Sequence, residues 1–301
     1  MKTRLMLPAA IFGIAAVLLA LQSRPQRNPR PAAASGNIVR AYSWRDFGRI
    51  QRKCRIEIPR ADLAASEAEF GADPEDMQPQ EISVRRQITY TSEQARDPKV
   101  MEKLRQKAQA EVEAEARAAV DARRKKLTSR GMFLRDENTV VVDVARLWQW
   151  NRKRIAPQVR RLAAGVGPGE SLTDALLAFV QEIPYRKPAD RRAGRITLGL
   201  LPPLEALAAG YGDCDTKSLL FASLADNGKG PEVILLRGPN HMIAGLQCGQ
   251  KEEGVKVKAF GKLFLACECS HGVWRPGQIA PEIKRDLAAN QYEPIRVRGG
   301  M

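Results

Sequence analysis

Residues 210–220 read Gly-Tyr-Gly-Asp-Cys-Asp-Thr-Lys-Ser-Leu-Leu, and no other segment says as much about how this chain folds. Two glycines and Asp213 interrupt the preceding structure, and apolar residues then recur at helical spacing as far as Leu224. We therefore predict that Cys214 lies in the first turn of a helix. Unpaired backbone N–H groups at such a position favour the thiolate, which is the nucleophilic form of cysteine.

A histidine that could act as the base for this thiol lies further along the chain. The chain has only two histidines, and one of them, His241, stands in Pro-Asn-His-Met-Ile-Ala at the start of a predicted strand. An imidazole placed against the sulfur would complete a pair of nucleophile and base. His241 is therefore the candidate base.

The order of these features resembles the bacterial transglutaminase-like cysteine hydrolases. In that family, a Gly-Asp-Cys-Asp helix start is followed by a histidine that enters a strand after a turn, and then by an acidic residue on the next strand. Residues 179–185 and 203–207 are also similar to the segments that precede the cysteine helix there, so the resemblance covers roughly residues 140–280. It implies an α+β fold with a papain- or transglutaminase-like core, in which the cysteine-bearing helix packs on an antiparallel β-sheet. The fold alone would not fix the substrate.

The third member of the predicted catalytic set is Glu268. Other acidic residues after His241 fall in a charged turn or in the C-terminal tail, whereas Glu268 falls in a predicted strand. The resembled family more often has aspartate at this position. The backbone N–H of Cys214 would bind the oxyanion, and Tyr185 and Tyr211 are candidates for a side-chain donor.

The N-terminus predicts export from the cytoplasm. Lys2 and Arg4 precede an uncharged run from Leu5 to Leu21, and a spacer rich in proline and arginine follows. We expect residues 1–35 to be an uncleaved signal anchor and linker, a single transmembrane helix that holds the bulk of the protein in the periplasm of a bacterial cell envelope. Cleavage of this segment, which would give a secreted protein, is the alternative.

The formal charge of +15 raises the question of a nucleic-acid partner. Runs of basic residues occur at 123–126 and 152–154, but their aromatic neighbours do not follow a nucleic-acid-binding pattern. We therefore expect no nucleic-acid partner. Solvated helix faces explain the runs more simply, with anionic lipid or acidic cell-wall polymer as the alternative.

Five cysteines leave one unpaired if the others form disulfides. Cys54, Cys248, Cys267 and Cys269 can pair in three ways, all of which stay open, and half-buried strand cysteines are the simpler account. A zinc site at Cys267, Cys269 and His271 is disfavoured, because paired zinc ligands usually have two to four residues between them. We expect no metal and no cofactor.

The predicted organisation continues with a small β-rich domain at 36–91, a connecting helix at 92–135 and a transglutaminase-like catalytic domain at 136–301. Within the last, helices are predicted at 140–164 and from the Ser171 cap onward, and four strands are predicted between 233 and 269.

These features predict an exported thiol hydrolase or acyl transferase that acts on amide bonds of a protein or peptide, cell-wall peptide included. A cysteine peptidase or amidase and a protein-glutamine transglutaminase share the same acyl-enzyme, so both stay open. A non-catalytic transglutaminase-like binding domain at the envelope is the alternative. A basic anchor protein for an anionic polymer is a third class. The oligomeric state is left open.

Overall fold

The structure is a computed structural model that describes residues 2–8, 36–78, 85–136, 138–228, 230–270 and 272–297. It divides into two compact units. The first comprises residues 1–30, 74–129 and 133–140, and the second comprises residues 31–73, 130–132 and 141–301. All three predicted site residues belong to the second unit.

The described residues form mixed α and β structure. The helices are α1 Arg60–Glu69, α2 Pro74–Met77, α3 Pro98–Thr128, α4 Val144–Ala163, α5 Leu172–Glu182, α6 Pro203–Ala209, α7 Cys214–Asn227 and α8 Pro281–Ala288. The strands are β1 Lys2–Pro8, β2 Asn37–Arg45, β3 Gln51–Pro59, β4 Arg85–Thr91, β5 Met132–Leu134, β6 Val140–Val142, β7 Arg191–Arg192, β8 Arg195–Ile196, β9 Val233–Arg237, β10 Met242–Cys248, β11 Lys256–Ala259, β12 Lys262–Cys267 and β13 Glu293–Arg296.

An antiparallel five-stranded sheet organises the second unit, in the order β11-β12-β10-β9-β13. Strand β10 lies in the centre, between β12 and β9. Gly245 in β10 allows close packing there, because a Cβ at this position would stand 2.8 Å from the side chain of Ile234. The start of β10 and the end of β12 lie at the same end of the two strands. His241 comes just before β10 and Glu268 just after β12, so both lie at this end.

The two faces of the sheet are covered by different helices. On one face, apolar residues of β9, β10 and β12 share a core with Ile283 of α8. On the other face lies α7, which also contacts α4, α5 and α6. Every residue of α7 from Cys214 to Asp226 is buried except Asp215. Because α7 is packed on all sides, its N-terminus is held in a fixed position in the core.

The β2–β3 hairpin packs on the helices of the same unit as the sheet. The rings of Tyr42 and Trp44 each lie edge-on to Phe179 of α5, with centroid distances of 5.1 Å. Tyr42 donates a hydrogen bond to the carbonyl of Leu207. Buried Arg52 bonds Asp46 and Glu170. The predicted domain boundary at residue 91 therefore does not coincide with a unit boundary, because residues 36–73 bury their apolar face against α5 and α6.

The first unit contains the long helix that the composition of residues 92–127 predicted. Helix α3 has 31 residues, starts at an Asp97 cap and is mostly exposed. Strand β1 pairs antiparallel with β4, so residues 2–8 of the predicted anchor and linker are strand here. The rest of the predicted anchor, up to residue 35, lies outside the described residues. Among the described residues, no helix is both long and apolar enough to cross a membrane.

One predicted helix starts later than expected. Residues 140–142 are strand β6, and the helix predicted from 140 begins only at Val144. Asp143 caps it, since its Oδ1 accepts a hydrogen bond from the backbone N–H of Arg146 at 2.9 Å. Three consecutive valines suit a strand better than a helix, and the capping aspartate marks the boundary.

Candidate functional site

Helix α7 begins at Cys214, as the sequence predicts. Asp213 is its N-cap, and its Oδ1 accepts a hydrogen bond from the backbone N–H of Thr216 at 3.1 Å. Gly212 packs against this first turn so closely that an added Cβ would stand 2.5 Å from the Thr216 methyl group. The thiol of Cys214 is therefore held at a helix N-terminus and is largely shielded from solvent.

His241 and Glu268 form a hydrogen-bonded pair. Nε2 of His241 lies 3.0 Å from Oε2 and 3.3 Å from Oε1 of Glu268, whose side chain is only 1% exposed. Burial alone would lower the pKa of His241, but hydrogen bonds with Cys214 and Glu268 outweigh it and raise that pKa to about 10. Burial would raise the pKa of Glu268, but the hydrogen bonds from His241 and Ser270 lower it. Each partner thus favours the charged form of the other.

The structure brings all three predicted residues together. Cys214 lies close enough to His241 to help raise the pKa of the imidazole. Because Nε2 faces Glu268, Nδ1 is the nitrogen left for the sulfur. An imidazole that bridges a thiol and a carboxylate can take the thiol proton and hold the resulting charge. The three predicted residues therefore lie side by side, with His241 between Cys214 and Glu268.

A second carboxylate lies beside the thiol. Oδ1 of Asp215 is 3.5 Å from the sulfur of Cys214. Burial, and then the neighbouring charge of Asp213, raise the pKa of Asp215. The sequence predicted both acids as helix-start residues, and Asp213 has that role as N-cap.

Of the two tyrosines considered as oxyanion donors, Tyr185 lies at the thiol. Residues 184–186 run beside Gly212, with a hydrogen bond from the backbone N–H of Arg186 to the Gly212 carbonyl at 3.1 Å. The Tyr185 hydroxyl contacts both the side chain and the backbone N–H of Cys214. Partial burial and the neighbouring Cys214 and Asp213 raise the pKa of Tyr185. Tyr211 instead stacks under the guanidinium of Arg186, at 3.6 Å from ring centroid to Cζ.

The acid is anchored by side chains that the sequence reading did not single out. Oε1 of Glu268 accepts hydrogen bonds from the backbone N–H of Ser270 at 2.8 Å and from its hydroxyl at 2.6 Å. The Gln181 amide donates to the carbonyl of Glu268 at 2.7 Å. Lys217 donates to the carbonyl of Ser270. Lys217 stands between Thr216 and Ser218 in the sequence, so no local pattern marked it as a buried residue.

Tyr292 lies next to the loop that leads to His241. Its ring packs so close to Gly238 that a Cβ there would stand 2.6 Å from Cζ. Its hydroxyl oxygen is buried without a hydrogen-bond partner among the described residues. Burial, followed by the negative groups Asp286, Glu268 and Cys214, raises the pKa of Tyr292 to about 12. This residue comes from the loop before β13, so its sequence position gave no sign of the site.

The remaining cysteines are free thiols. None of the five forms a disulfide, and Cys267 and Cys269 are fully buried rather than half-buried. Burial raises the pKa of the Cys267 and Cys269 thiols. Within the part of the chain that the structure describes, which leaves out His271, no group of histidine, cysteine and acidic side chains is arranged to hold a metal ion.

No protein-family model matches this chain, and neither the curated proteins nor the solved structures include a match to it.

Proposed function

We propose that this chain is a thiol-dependent hydrolase or acyl transferase that acts on amide bonds through Cys214, His241 and Glu268. The observation that carries the proposal is that the buried Glu268 carboxylate hydrogen-bonds the His241 imidazole, which lies beside a thiol at a helix N-terminus. In this proposal, the mixed α and β unit has a papain- or transglutaminase-like core and belongs with the transglutaminase-like cysteine hydrolases. The proposal keeps the envelope location that the apolar run from Leu5 to Leu21 predicts.

The proposed reaction begins with the thiolate of Cys214 and the imidazolium of His241. The sulfur attacks the carbonyl carbon of an amide, and the C=O electron pair moves to oxygen. In the proposal, the backbone N–H of Cys214 and the hydroxyl of Tyr185 both donate to this oxyanion. Without substrate, the N–H of Cys214 faces the Tyr185 oxygen, and the substrate oxygen would replace the tyrosine as its acceptor. When the C–N bond breaks, His241 gives its proton to the leaving amine and a thioester remains.

The second half of the reaction regenerates the thiolate. His241, now neutral, takes a proton from water or from an acceptor amine as that nucleophile attacks the thioester. Collapse of the second tetrahedral intermediate expels the sulfur of Cys214 as thiolate and leaves His241 protonated. Glu268 keeps the imidazole oriented and stabilises its positive charge throughout. Water gives hydrolysis and an amine gives acyl transfer, with the same residues in the same roles.

The decisive experiment is the pH dependence of iodoacetamide alkylation at Cys214, located by mass spectrometry. We expect Cys214 of the wild type to be alkylated rapidly at neutral pH, and the reaction in His241→Ala to slow to the rate of an ordinary thiol. The variant His271→Ala is a matched control, because it removes the only other histidine. Cys54 and Cys248, which are partly exposed, serve as reference thiols in the same molecule.

Slow alkylation at Cys214 that does not depend on His241 would contradict the enzyme proposal. The non-catalytic binding domain would then be the better account.

A further inference from the structure

Lys217 is a buried lysine three residues beyond the candidate nucleophile. Its side chain is 1% exposed, and its ammonium donates three hydrogen bonds to backbone carbonyls. The acceptors are Gln181 at 3.1 Å, Ile183 at 2.6 Å and Ser270. The three N–H donors of an ammonium group are therefore matched by three oxygens, which offsets much of the cost of burying the charge.

The three carbonyls belong to two segments that meet at the site. Gln181 and Ile183 lie at the end of α5, just before Tyr185, which contacts Cys214. Ser270 lies in the turn after β12, and this residue binds the Glu268 carboxylate through both its N–H and its hydroxyl. One side chain on the nucleophile's own helix thus bonds the backbone on both sides of the catalytic set.

The hydrogen-bond partners of Lys217 favour a role in positioning over a role in proton transfer. Burial lowers the pKa of Lys217 to about 8, although Cys269, Glu268 and Glu182 partly oppose this effect. All its hydrogen-bond partners are carbonyl oxygens of the main chain, so no reacting atom is within its hydrogen-bond contacts.

We infer that Lys217 is a positioning residue that holds the Ser270 turn, and through it the Glu268 carboxylate, against His241. This inference rests on the proposed function, because it assigns Lys217 to the same catalytic set. The connection runs through a hydrogen bond at every step: Lys217 to Ser270, Ser270 to Glu268, and Glu268 to His241.

The test is an NMR titration of the imidazole in histidine-labelled protein, which is tractable because the chain has only two histidines. Lys217→Met keeps the length of the side chain and removes the ammonium. If Lys217 positions Glu268, the carboxylate loosens and the pKa of His241 falls from about 10 towards the ordinary value of 6.5. Alkylation of Cys214 at neutral pH should slow by about tenfold or more in the same variant.

The direction in which the His241 pKa changes in Lys217→Met distinguishes positioning from a purely electrostatic role and from a purely structural role. If Lys217 acted only as a nearby positive charge, its removal would raise the pKa of His241, because a cation disfavours a neighbouring cation. If it only stabilised the fold, the folded fraction of the variant would titrate like the wild type. Either result would overturn the inference.

Matched variants keep the test decisive. Gln158→Met removes another buried side-chain bond to a backbone carbonyl, that of Glu57, away from the site, and should leave the His241 titration unchanged. Should Lys217→Met fail to fold, Lys217→Gln retains a shorter, neutral donor and should give a smaller fall in the same direction. The wild-type alkylation profile tests the proposed function separately. If wild-type Cys214 reacts as the proposed function expects and the His241 titration of Lys217→Met does not move, only the role of Lys217 is rejected.

Discussion

At the scale of single residues, the site depends on a glutamate that lies just past the end of a strand. Strand β12 ends at Cys267, and the Glu268 side chain reaches both His241 and the Ser270 turn. The longer side chain, compared with the aspartate of the resembled family, does not prevent contact with the imidazole. The pair should therefore be sensitive to loss of charge even when the shape is kept.

Replacing Glu268 with Gln tests this sensitivity. The amide keeps the volume but cannot balance an imidazolium, so turnover of an amide substrate should fall by about 10²-fold or more. Alkylation of Cys214 at neutral pH should slow as well. Glu282→Gln, which removes an exposed acid from the first turn of α8, is the control. A variant at Glu268 that turns over like the wild type would remove this residue from the catalytic set.

The same variant gives a defined pH dependence of stability. The pKa of His241 is raised in the folded protein, from 6.5 to about 10, so its stabilising contribution is complete below about pH 6.5 and is lost as the pH rises through about 10. The pKa of Glu268 is lowered, so its contribution is present above its unfolded value of about 4.5 and is lost as the pH falls through the folded value. The difference in the free energy of unfolding between wild type and Glu268→Gln should therefore be largest near pH 5.5 and smaller at pH 10.5 and at pH 3. Urea titrations of both proteins at these pH values would measure it.

At the scale of secondary-structure elements, the first turn of α7 fixes the position of Cys214, the candidate nucleophile. Gly212→Ala would place a methyl group 2.5 Å from the side chain of Thr216, which is buried and accepts a hydrogen bond from the backbone N–H of Leu201. Relief of this clash must move the first turn and Cys214 with it. We expect a loss of about 1–3 kcal/mol in the free energy of unfolding, together with slower alkylation of Cys214.

The control for this variant is Gly165→Ala, where the added methyl group meets nothing closer than 3.7 Å. Denaturant unfolding and alkylation of both variants would be compared with wild type. Equal behaviour of the two variants would show that the tight packing of Gly212 does not set the position of the thiol.

Local signals explain why much of this region could be predicted from sequence. Asp213 and Ser171 cap their helices as their patterns indicated, and runs of apolar residues located β9, β10 and β12. The pairing of β13 with β9 and the carbonyl partners of Lys217 are contacts between segments distant in the chain, which no local pattern records. Each predicted site residue carried a local signal, whereas Lys217 and Tyr292 acquire their places only through tertiary packing.

At the scale of the whole molecule, the unit that carries the site also includes residues 31–73. The sequence indicated strands there but not the surface that they cover, so a separate domain at 36–91 was the natural prediction. The structure instead buries Trp44 and Ile56 of the β2–β3 hairpin in the same unit as the sheet. The hairpin should therefore unfold together with the sheet rather than before it.

Trp44→Ala tests this cooperativity. Trp44 is 2% exposed and lies edge-on to Phe179 at 5.1 Å, so its removal should lower the free energy of unfolding by about 3–5 kcal/mol. The readout is thiol labelling of Cys267 and Cys269 in increasing urea, because both are fully buried at the sheet. If the hairpin belongs to one cooperative unit, these thiols become reactive at lower urea in the variant. Val39→Ala, in the same hairpin but 45% exposed, should leave their labelling unchanged. Labelling in Trp44→Ala that matched the wild type would mean that the hairpin unfolds independently of the sheet.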